Sequence, residues 1–321
     1  MRVILDGALL RKLERVSLIA RHVRAGQTVG ERRSTKRGAS VEFADYRDYV
    51  PGDDLRRVDW NIYARLERPF VKLFEEEEDL AVHLLLDGSG SMDWGEGESR
   101  SVGVWERGGM GKGETRRQGD EERNANKWLY ARQLAASLGY VALTSGDRLT
   151  VANLQSPVSN LQFGPVRGRG HTLRLFEWLE GLQAVGTTDL NAGLRAHAVS
   201  GARAGLVLLI SDLFSPAGYV EGLTALAARG HEVAVIHVLS PDEVEPPLGG
   251  DLRLLDVETG DHQEVTIDGG MRGLYSRRLE AWRAEIRATC RTRDVHYLPI
   301  ETDTPFDRVV LYDLRRSGVV R

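Results

Sequence analysis

This sequence has one cysteine, no long apolar run and no excess of positive charge. The single cysteine, Cys290, excludes a disulfide scaffold and any zinc or iron–sulfur site built on several cysteines. A helix that crosses a bilayer needs about 20 mostly apolar residues, and the longest apolar runs, at 80–86 and 205–210, are much shorter. With 43 basic and 47 acidic residues, the net charge of −4 does not indicate nucleic-acid binding. We therefore expect a cytoplasmic protein without a transmembrane segment.

Glycine, in contrast, is abundant, at 35 of 321 residues against a usual level of about 7%. Eight of these glycines fall in residues 93–127, together with seven basic and eight acidic residues. So polar a segment cannot bury enough apolar surface to offset the entropy of ordering it. We therefore predict that 93–127 is a flexible Gly- and charge-rich insertion.

The first 37 residues have a helical and basic character. Apolar residues recur between charged ones from Ile4 to Ala20, which predicts an amphipathic helix rather than a signal peptide. Two interpretations stay open. The helix packs on the body of the protein, or it attaches the chain to an acidic partner or an anionic membrane surface.

From residue 80 onward, short apolar strands alternate with helices. This pattern predicts an α/β domain over 80–300, with a mostly parallel, doubly wound, Rossmann-like sheet covered by helices on both faces. Upstream, residues 38–79 form a small β-rich module with strands near 41–44 and 69–74. Residues 301–321 are interpreted as a C-terminal tail.

Polar side chains follow the predicted strands. The apolar run 80–86 is followed directly by Asp87, Ser89 and Ser91. These occupy alternate positions, and in an extended segment alternate side chains face the same side. Thr188 precedes a predicted helix, and Asp212 ends the strand 206–211. Because ligands of open α/β sheets bind at the carboxyl ends of the strands, we expect these groups to converge.

Two carboxylates and three hydroxyls are hard oxygen ligands, which suit Mg²⁺, or alternatively Mn²⁺ or Ca²⁺. Each group also has a structural interpretation. The DGSGS string at 87–91 is typical of a polar turn, and Thr188, Asp189 or Asp212 could cap a helix.

The pattern Asp87-x-Ser89-x-Ser91 with Thr188 and Asp212 resembles the metal-ion-dependent adhesion site of von Willebrand factor A-type domains. Upstream, the string VEFADYR at 41–47, PGDDLR at 51–56 and the acidic run at 75–79 resemble the signature of the bacterial domain of unknown function 58 family. Together the two resemblances span nearly the whole chain.

The resemblance implies that Asp87, Ser89, Ser91, Thr188 and Asp212 hold the metal ion and that an acidic residue of a protein ligand completes its coordination. Proteins of this kind are commonly encoded beside MoxR-type AAA+ ATPases, which implies an adaptor or partner of such an ATPase. The insertion 93–127 departs from the family pattern and affects access to the metal rather than its ligands.

A docking surface is a second possibility raised by the upstream module. The charged residues around 53–79 predict either a solvated, internally paired face or a contact surface for the ATPase. Arg56, Trp60 and Tyr63 are the candidate partner-binding residues, because aromatic side chains and arginine dominate interface hot spots.

Enzyme functions find little support in the sequence. No Gly-x-Ser-x-Gly elbow, phosphate-binding loop or His-Glu-x-x-His motif is present, and we predict a protein that is not an enzyme. One alternative is a Mg²⁺-dependent phosphate-ester hydrolase, for which Asp189 is the candidate base. A membrane-surface-associated envelope protein anchored by 1–37 is the other alternative. We expect His83, His237 and Cys290 to be packing residues.

Overall fold

The structure is a computed structural model that describes residues 5–20, 42–51, 53, 55, 58–75, 79–94, 126–155, 161–246, 250–255, 262–267 and 269–321. It divides into two compact units, one of Met1–Arg24 with Leu80–Arg321 and one of Ala25–Asp79. Elements are numbered along the whole chain. No helix in these ranges is both long and apolar enough to span a membrane.

The larger unit contains a short first helix and then an alternation of strands and helices. Its strands are β3 (Ala81–Asp87), β4 (Arg148–Leu154), β5 (Leu161–Arg167), β6 (Leu206–Ser211), β7 (Glu232–Leu239), β8 (Gly250–Leu255), β9 (His262–Ile267) and β10 (His296–Glu301). Its helices are α1 (Gly7–Leu13), α3 (Lys127–Thr144), α4 (Thr172–Glu180), α5 (Leu190–Val199), α6 (Val220–Ala228), α7 (Pro241–Val244) and α8 (Gly269–Arg291), followed by helical turns at Phe306–Arg308, Val309–Asp313 and Leu314–Ser317.

Six of these strands form one sheet in the order β10-β7-β6-β3-β4-β5. All pair in parallel except β5, which is an antiparallel edge strand on β4. Strands β8 and β9 form a separate antiparallel pair. The predicted α/β fold with a mostly parallel sheet is confirmed, and the edge strand β5 is an addition to it.

Helices cover both faces because the strand residues alternate between two apolar clusters. Leu84 and Leu86 of β3 join one cluster, which includes α3 and α4, whereas Leu85 joins the other, which includes α5, α6 and part of α8. Every residue of β3 is buried. Such a strand, apolar on both faces, is typical of a sheet with helices on each side.

Helix α1 and the C-terminal segment both pack into the larger unit. Leu5, Leu9 and Leu13 recur at four-residue spacing and are buried against the first cluster, so the apolar face of α1 is covered. The predicted N-terminal helix differs from the structure in extent, since α1 ends at Leu13 and residues 21–37 lie outside the described ranges.

The C-terminal segment 301–321 is part of the larger unit rather than a tail. Val310 and Leu314 are fully buried in the first cluster. The backbone of Ser17 both donates to and accepts from Arg321, at 3.1 and 2.8 Å. The α/β unit therefore extends past residue 300, because its last apolar residues complete the core beside α3.

The smaller unit pairs β1 (Glu42–Asp48) antiparallel with β2 (Phe70–Glu75). Between them lies helix α2 (Trp60–Leu66), which was not predicted from the sequence. Asp59 starts this helix, because its carboxylate accepts the backbone N–H groups of Asn61 and Ile62 at 2.9 and 3.3 Å.

Candidate metal centre

The loop after β3 is folded around the carboxylate of Asp87. The Ser89 N–H donates to Asp87 Oδ1 at 3.1 Å, and the Ser211 hydroxyl donates to Asp87 Oδ2 at 2.6 Å. Ser89 Oγ and Ser91 Oγ lie 2.9 Å apart. The two serine hydroxyls meet as predicted, but not through strand alternation, because Gly90–Met92 is a turn of 3₁₀ helix rather than extended chain.

Two further loops meet this one at the carboxyl edge of the sheet. The Gly90 N–H donates to the Gly186 carbonyl at 2.7 Å, which joins the loop after β3 to the segment that precedes α5. The Thr188 hydroxyl donates to the Leu154 carbonyl at 3.1 Å, and the Thr188 carbonyl accepts from the hydroxyl of Ser215 in the loop after β6 at 3.0 Å. The three loops that carry the sequence-predicted residues are thus in contact.

Burial and mutual repulsion define the electrostatics of this edge. Asp87 and Asp212 are both almost fully buried. Burial, followed by the negative charge of Asp212, raises the pKa of Asp87 to about 6. Two neighbouring carboxylates with little access to solvent need positive charge nearby to be stable in their ionised forms.

Part of this positive charge comes from a residue that was not among the sequence predictions. Lys127, the first residue of α3, places its Nζ 2.7 Å from Asp212 Oδ2 and 2.7 Å from Oε1 of Glu243 on α7. Its side chain is fully buried. Burial opposes the charged form of Lys127, but the carboxylates of Asp212 and Glu243 outweigh this effect and raise its pKa. Lys127 is therefore an ammonium ion inside the protein.

A signal for Lys127 does exist in the sequence. Asn126 is the N-cap of α3 and accepts the Leu129 N–H at 2.9 Å, so Lys127 occupies the first helical position. A cation is unfavourable there because the N-terminal end of a helix is itself positive. A lysine at such a position therefore favours an acidic partner from elsewhere in the fold, but the sequence does not show which residue provides it.

The donor set fits a divalent cation. Asp87, Asp212 and Glu243 contribute three negative charges and Lys127 one positive charge, which leaves −2 in a buried cluster. The side-chain amide of Asn153 is also fully buried, neither of its polar atoms is hydrogen-bonded to a residue that the structure describes, and it lies against Gly88. Within the described ranges no three His, Cys, Asp or Glu side chains form a metal cluster, so a cation here depends on the hydroxyls of Ser89, Ser91 and Thr188.

Asp189, the candidate base of the hydrolase alternative, has a structural role. It is the N-cap of α5, and its Oδ1 accepts the Ala192 N–H at 2.8 Å. A hydrolase built on this edge would need another base. His83, His237 and Cys290 are buried, as expected for packing residues.

The candidate docking residues of the smaller unit are exposed. Trp60 is 58% and Tyr63 44% accessible, and their rings make an edge-to-face contact at 5.9 Å on α2. Arg56 lies outside the described residues. The exposed aromatic pair therefore remains a candidate contact surface.

Most of the predicted insertion, residues 95–125, also lies outside the described ranges, but its flanks are joined beside the candidate site. The Lys127 N–H donates to the Trp94 carbonyl at 2.8 Å, and the Asn126 side chain donates to Asp93 Oδ1 at 2.8 Å. The chain thus leaves and returns at one point of the fold.

We expect that replacing 95–125 with a four-residue Gly/Ser linker preserves the fold. The flanks are already hydrogen-bonded, and a shorter loop has a smaller entropic cost of closure. The free energy of unfolding should therefore stay the same or rise by up to about 2 kcal/mol. Urea unfolding of both proteins measures this difference. A clear loss of stability would show that 95–125 contributes to the core.

A substitution at Gly88 tests the packing of the loop after β3. A Cβ atom at Gly88 would lie 2.4 Å from Asn153 Oδ1, so we expect Gly88→Ala to lower the free energy of unfolding by about 1–3 kcal/mol. A Cβ atom at Gly170 would meet no described atom within 4 Å. Gly170→Ala should therefore change the free energy of unfolding by no more than about 0.5 kcal/mol. Equal stabilities of the two variants in urea would contradict the packing around Gly88.

Comparison with known proteins assigns the family. The model of a family described as "Protein of unknown function DUF58" matches residues 45–103 and 116–285. The chain belongs to this family. The matched segments include the loops that carry Asp87, Thr188 and Asp212, as well as Glu243 of α7 and Lys127.

Relatives of this DUF58 chain are found in mycobacteria. It is 29% identical over 322 residues to "Uncharacterized protein Mb1516" of Mycobacterium bovis, covering 98% of this chain and 92% of that protein. It is 38% identical over 120 residues to "Uncharacterized protein MAV169" of Mycobacterium avium, covering 37% and 70%. Among solved structures, BatB from Bacteroides thetaiotaomicron is similar with a TM-score of 0.42 and 13% identity, covering 74% of this chain and 98% of BatB. Function must therefore be argued from the site itself.

Proposed function

We propose that the carboxyl edge of the sheet is a divalent-cation-dependent protein-binding site of the von Willebrand factor A type. In this proposal the protein is a non-enzymatic adaptor in the cytoplasm. The observation that carries the proposal is the contact among the three loops that bear Asp87 with its serines, Thr188, and Asp212. The mostly parallel sheet with helices on both faces supports the same assignment.

The chemistry of the donors favours binding over catalysis. The hydroxyls of Ser89, Ser91 and Thr188 are neutral, so Mg²⁺, or Mn²⁺ or Ca²⁺ in its place, would keep much of its positive charge and attract a carboxylate of a protein ligand. Both oxygens of Asp87 already accept hydrogen bonds, which suits a fixed ligand rather than a nucleophile.

The partner we propose is a MoxR-type AAA+ ATPase, with an acidic residue of the bound protein at the cation. The exposed Trp60 and Tyr63 support a contact through the smaller unit, since aromatic side chains commonly anchor interfaces. The envelope-anchor alternative has less support, because the apolar face of α1 is buried in the core.

Affinity capture from lysate of the source organism tests this function. The variant of choice is Ser89→Ala/Ser91→Ala, because it removes two proposed oxygen ligands that contact each other and changes no charge. We expect an AAA+ ATPase to be retained by the natural protein in Mg²⁺ and lost in EDTA. The double variant should lose it even in Mg²⁺.

Thr292→Ala, an exposed hydroxyl at the end of α8, is the matched control and should retain the ATPase. If the amount of captured ATPase changes neither in EDTA nor with the serine substitutions, cation-dependent binding at this edge is rejected. A separate Trp60→Ala/Tyr63→Ala variant tests the smaller unit, since it should weaken capture without lowering the stability of the protein.

A further inference from the structure

The ammonium of Lys127 is a fully buried charged group that contacts two carboxylates. It lies 2.7 Å from a carboxylate oxygen of Asp212 and 2.7 Å from one of Glu243, and neither the lysine nor the aspartate side chain is exposed. The ring of Phe214 lies 5.4 Å from Nζ. The groups around Lys127 Nζ therefore stabilise a single positive charge at this position.

Lys127 also engages an oxygen that the divalent cation would use. Asp212 Oδ1 accepts the Phe214 N–H at 3.0 Å, and Asp212 Oδ2 accepts from Lys127. Both oxygens of this candidate ligand therefore already have partners. A divalent cation that binds Asp212 would share this carboxylate with Lys127, and repulsion between the two cations would weaken the contact of Asp212 with Lys127.

Glu243 provides a second carboxylate for the same ammonium. It belongs to the capping box of α7, in which its carboxylate accepts the Ser240 N–H at 2.8 Å through Oε2 and contacts Lys127 through Oε1. The Tyr275 hydroxyl of α8 donates to the Glu243 carbonyl. Glu243 is therefore held in place and can retain Lys127 when Asp212 changes partner.

We propose that the ammonium of Lys127 competes with the divalent cation for the carboxylate of Asp212. When the divalent cation binds, Lys127 keeps its contact with Glu243. The proposal rests on the cation site of the proposed function. It assigns to Lys127 and Glu243 the control of how tightly that site holds its metal.

A charge-matched double variant separates competition from simple net charge. Lys127→Met/Glu243→Gln removes one positive and one negative charge, so the formal charge of the cluster is unchanged. Replacing both partners of a buried ion pair is also tolerated better than replacing one. Calorimetric titration with Mn²⁺ at fixed pH and ionic strength gives the affinity.

Competition predicts that the double variant binds Mn²⁺ at least about tenfold more tightly than the natural protein, because Asp212 no longer shares its carboxylate with an ammonium ion. Glu243→Gln alone should bind Mn²⁺ more weakly, since Lys127 then depends on Asp212 alone. Circular dichroism and urea unfolding establish that each variant is folded.

Unchanged or weaker Mn²⁺ binding by the folded double variant would overturn the proposal while leaving the cation site intact. If the natural protein and both variants all fail to bind Mn²⁺, the cation site of the proposed function fails as well, so the two failures are distinguishable. Tighter binding by the double variant together with weaker binding by Glu243→Gln supports the competition.

Discussion

Replacing Lys127 alone with methionine should lower the free energy of unfolding by about 3–5 kcal/mol. The substitution removes the ammonium that contacts both Asp212 and Glu243. The carboxylates of Asp212 and Glu243 would then lose their hydrogen-bonded countercharge. Breaking one side of a buried ion pair is costly because the remaining charge is neither solvated nor paired. Urea unfolding at pH 7 in EDTA measures the effect without a contribution from bound metal.

Lys12→Met is the matched control for this loss. Lys12 lies on α1 and is exposed, so the same substitution there should change the free energy of unfolding by no more than about 0.5 kcal/mol. If the two variants were equally stable, Lys127 would not be the buried countercharge of this cluster.

Acidification should destabilise the larger unit through a buried histidine cluster at the other end of the sheet. The rings of His197 and His231 lie 4.9 and 5.2 Å from that of His83, and all three side chains are buried. Burial lowers the pKa of His83 and of His197 to about 4 and lowers that of His231. Among the residues in the described ranges, His83 Nδ1 and His197 Nε2 have no hydrogen-bond partner, so a proton added there would be poorly stabilised.

The sign of the effect follows from which state binds more protons. Below a pH of about 6.5 the unfolded chain protonates these histidines, whereas the folded protein resists protonation until about pH 4. Stability should therefore be fully present above pH 6.5 and fall as the pH drops from 6.5 to 4. For one histidine with this shift, the loss is about 3 kcal/mol.

Urea unfolding from pH 7 to pH 4 checks this prediction with two glutamine variants. His83→Gln removes one titrating group, so its loss of stability over this range should be smaller than that of the natural protein by up to about 3 kcal/mol. His171→Gln, at a half-buried position before α4, serves as the control and should follow the natural protein. Identical pH profiles for His83→Gln and the natural protein would contradict the role of the cluster.

The sheet and the convergence of the three loops could be predicted because they follow from local patterns. Apolar runs such as 80–86 are buried on both faces, which is typical of parallel strands between helices. Once the strands are parallel, their carboxyl ends share one edge. The loop with Asp87, the loop with Thr188 and the loop after β6 therefore met as expected.

The parts that could not be predicted depend on contacts distant in sequence. Lys127 reaches Asp212 and Glu243 only because α3 and α7 pack at the same edge, and no spacing in the sequence links these residues. The edge strand β5 and the C-terminal segment were missed for a similar reason. The segment LQFGPVR of β5 contains Gly and Pro, and residues 301–321 show their apolar face only when packed on α3.

The most direct test of the account is the number of divalent cations that each chain binds. Titration of Mn²⁺ followed by electron paramagnetic resonance should give one saturable ion per chain for the natural protein and for Thr292→Ala. The folded Ser89→Ala/Ser91→Ala variant should lose that ion, because the variant lacks two of the proposed oxygen ligands. Saturable binding of equal affinity in the double-serine variant, or none in the natural protein, would contradict a metal centre at this edge.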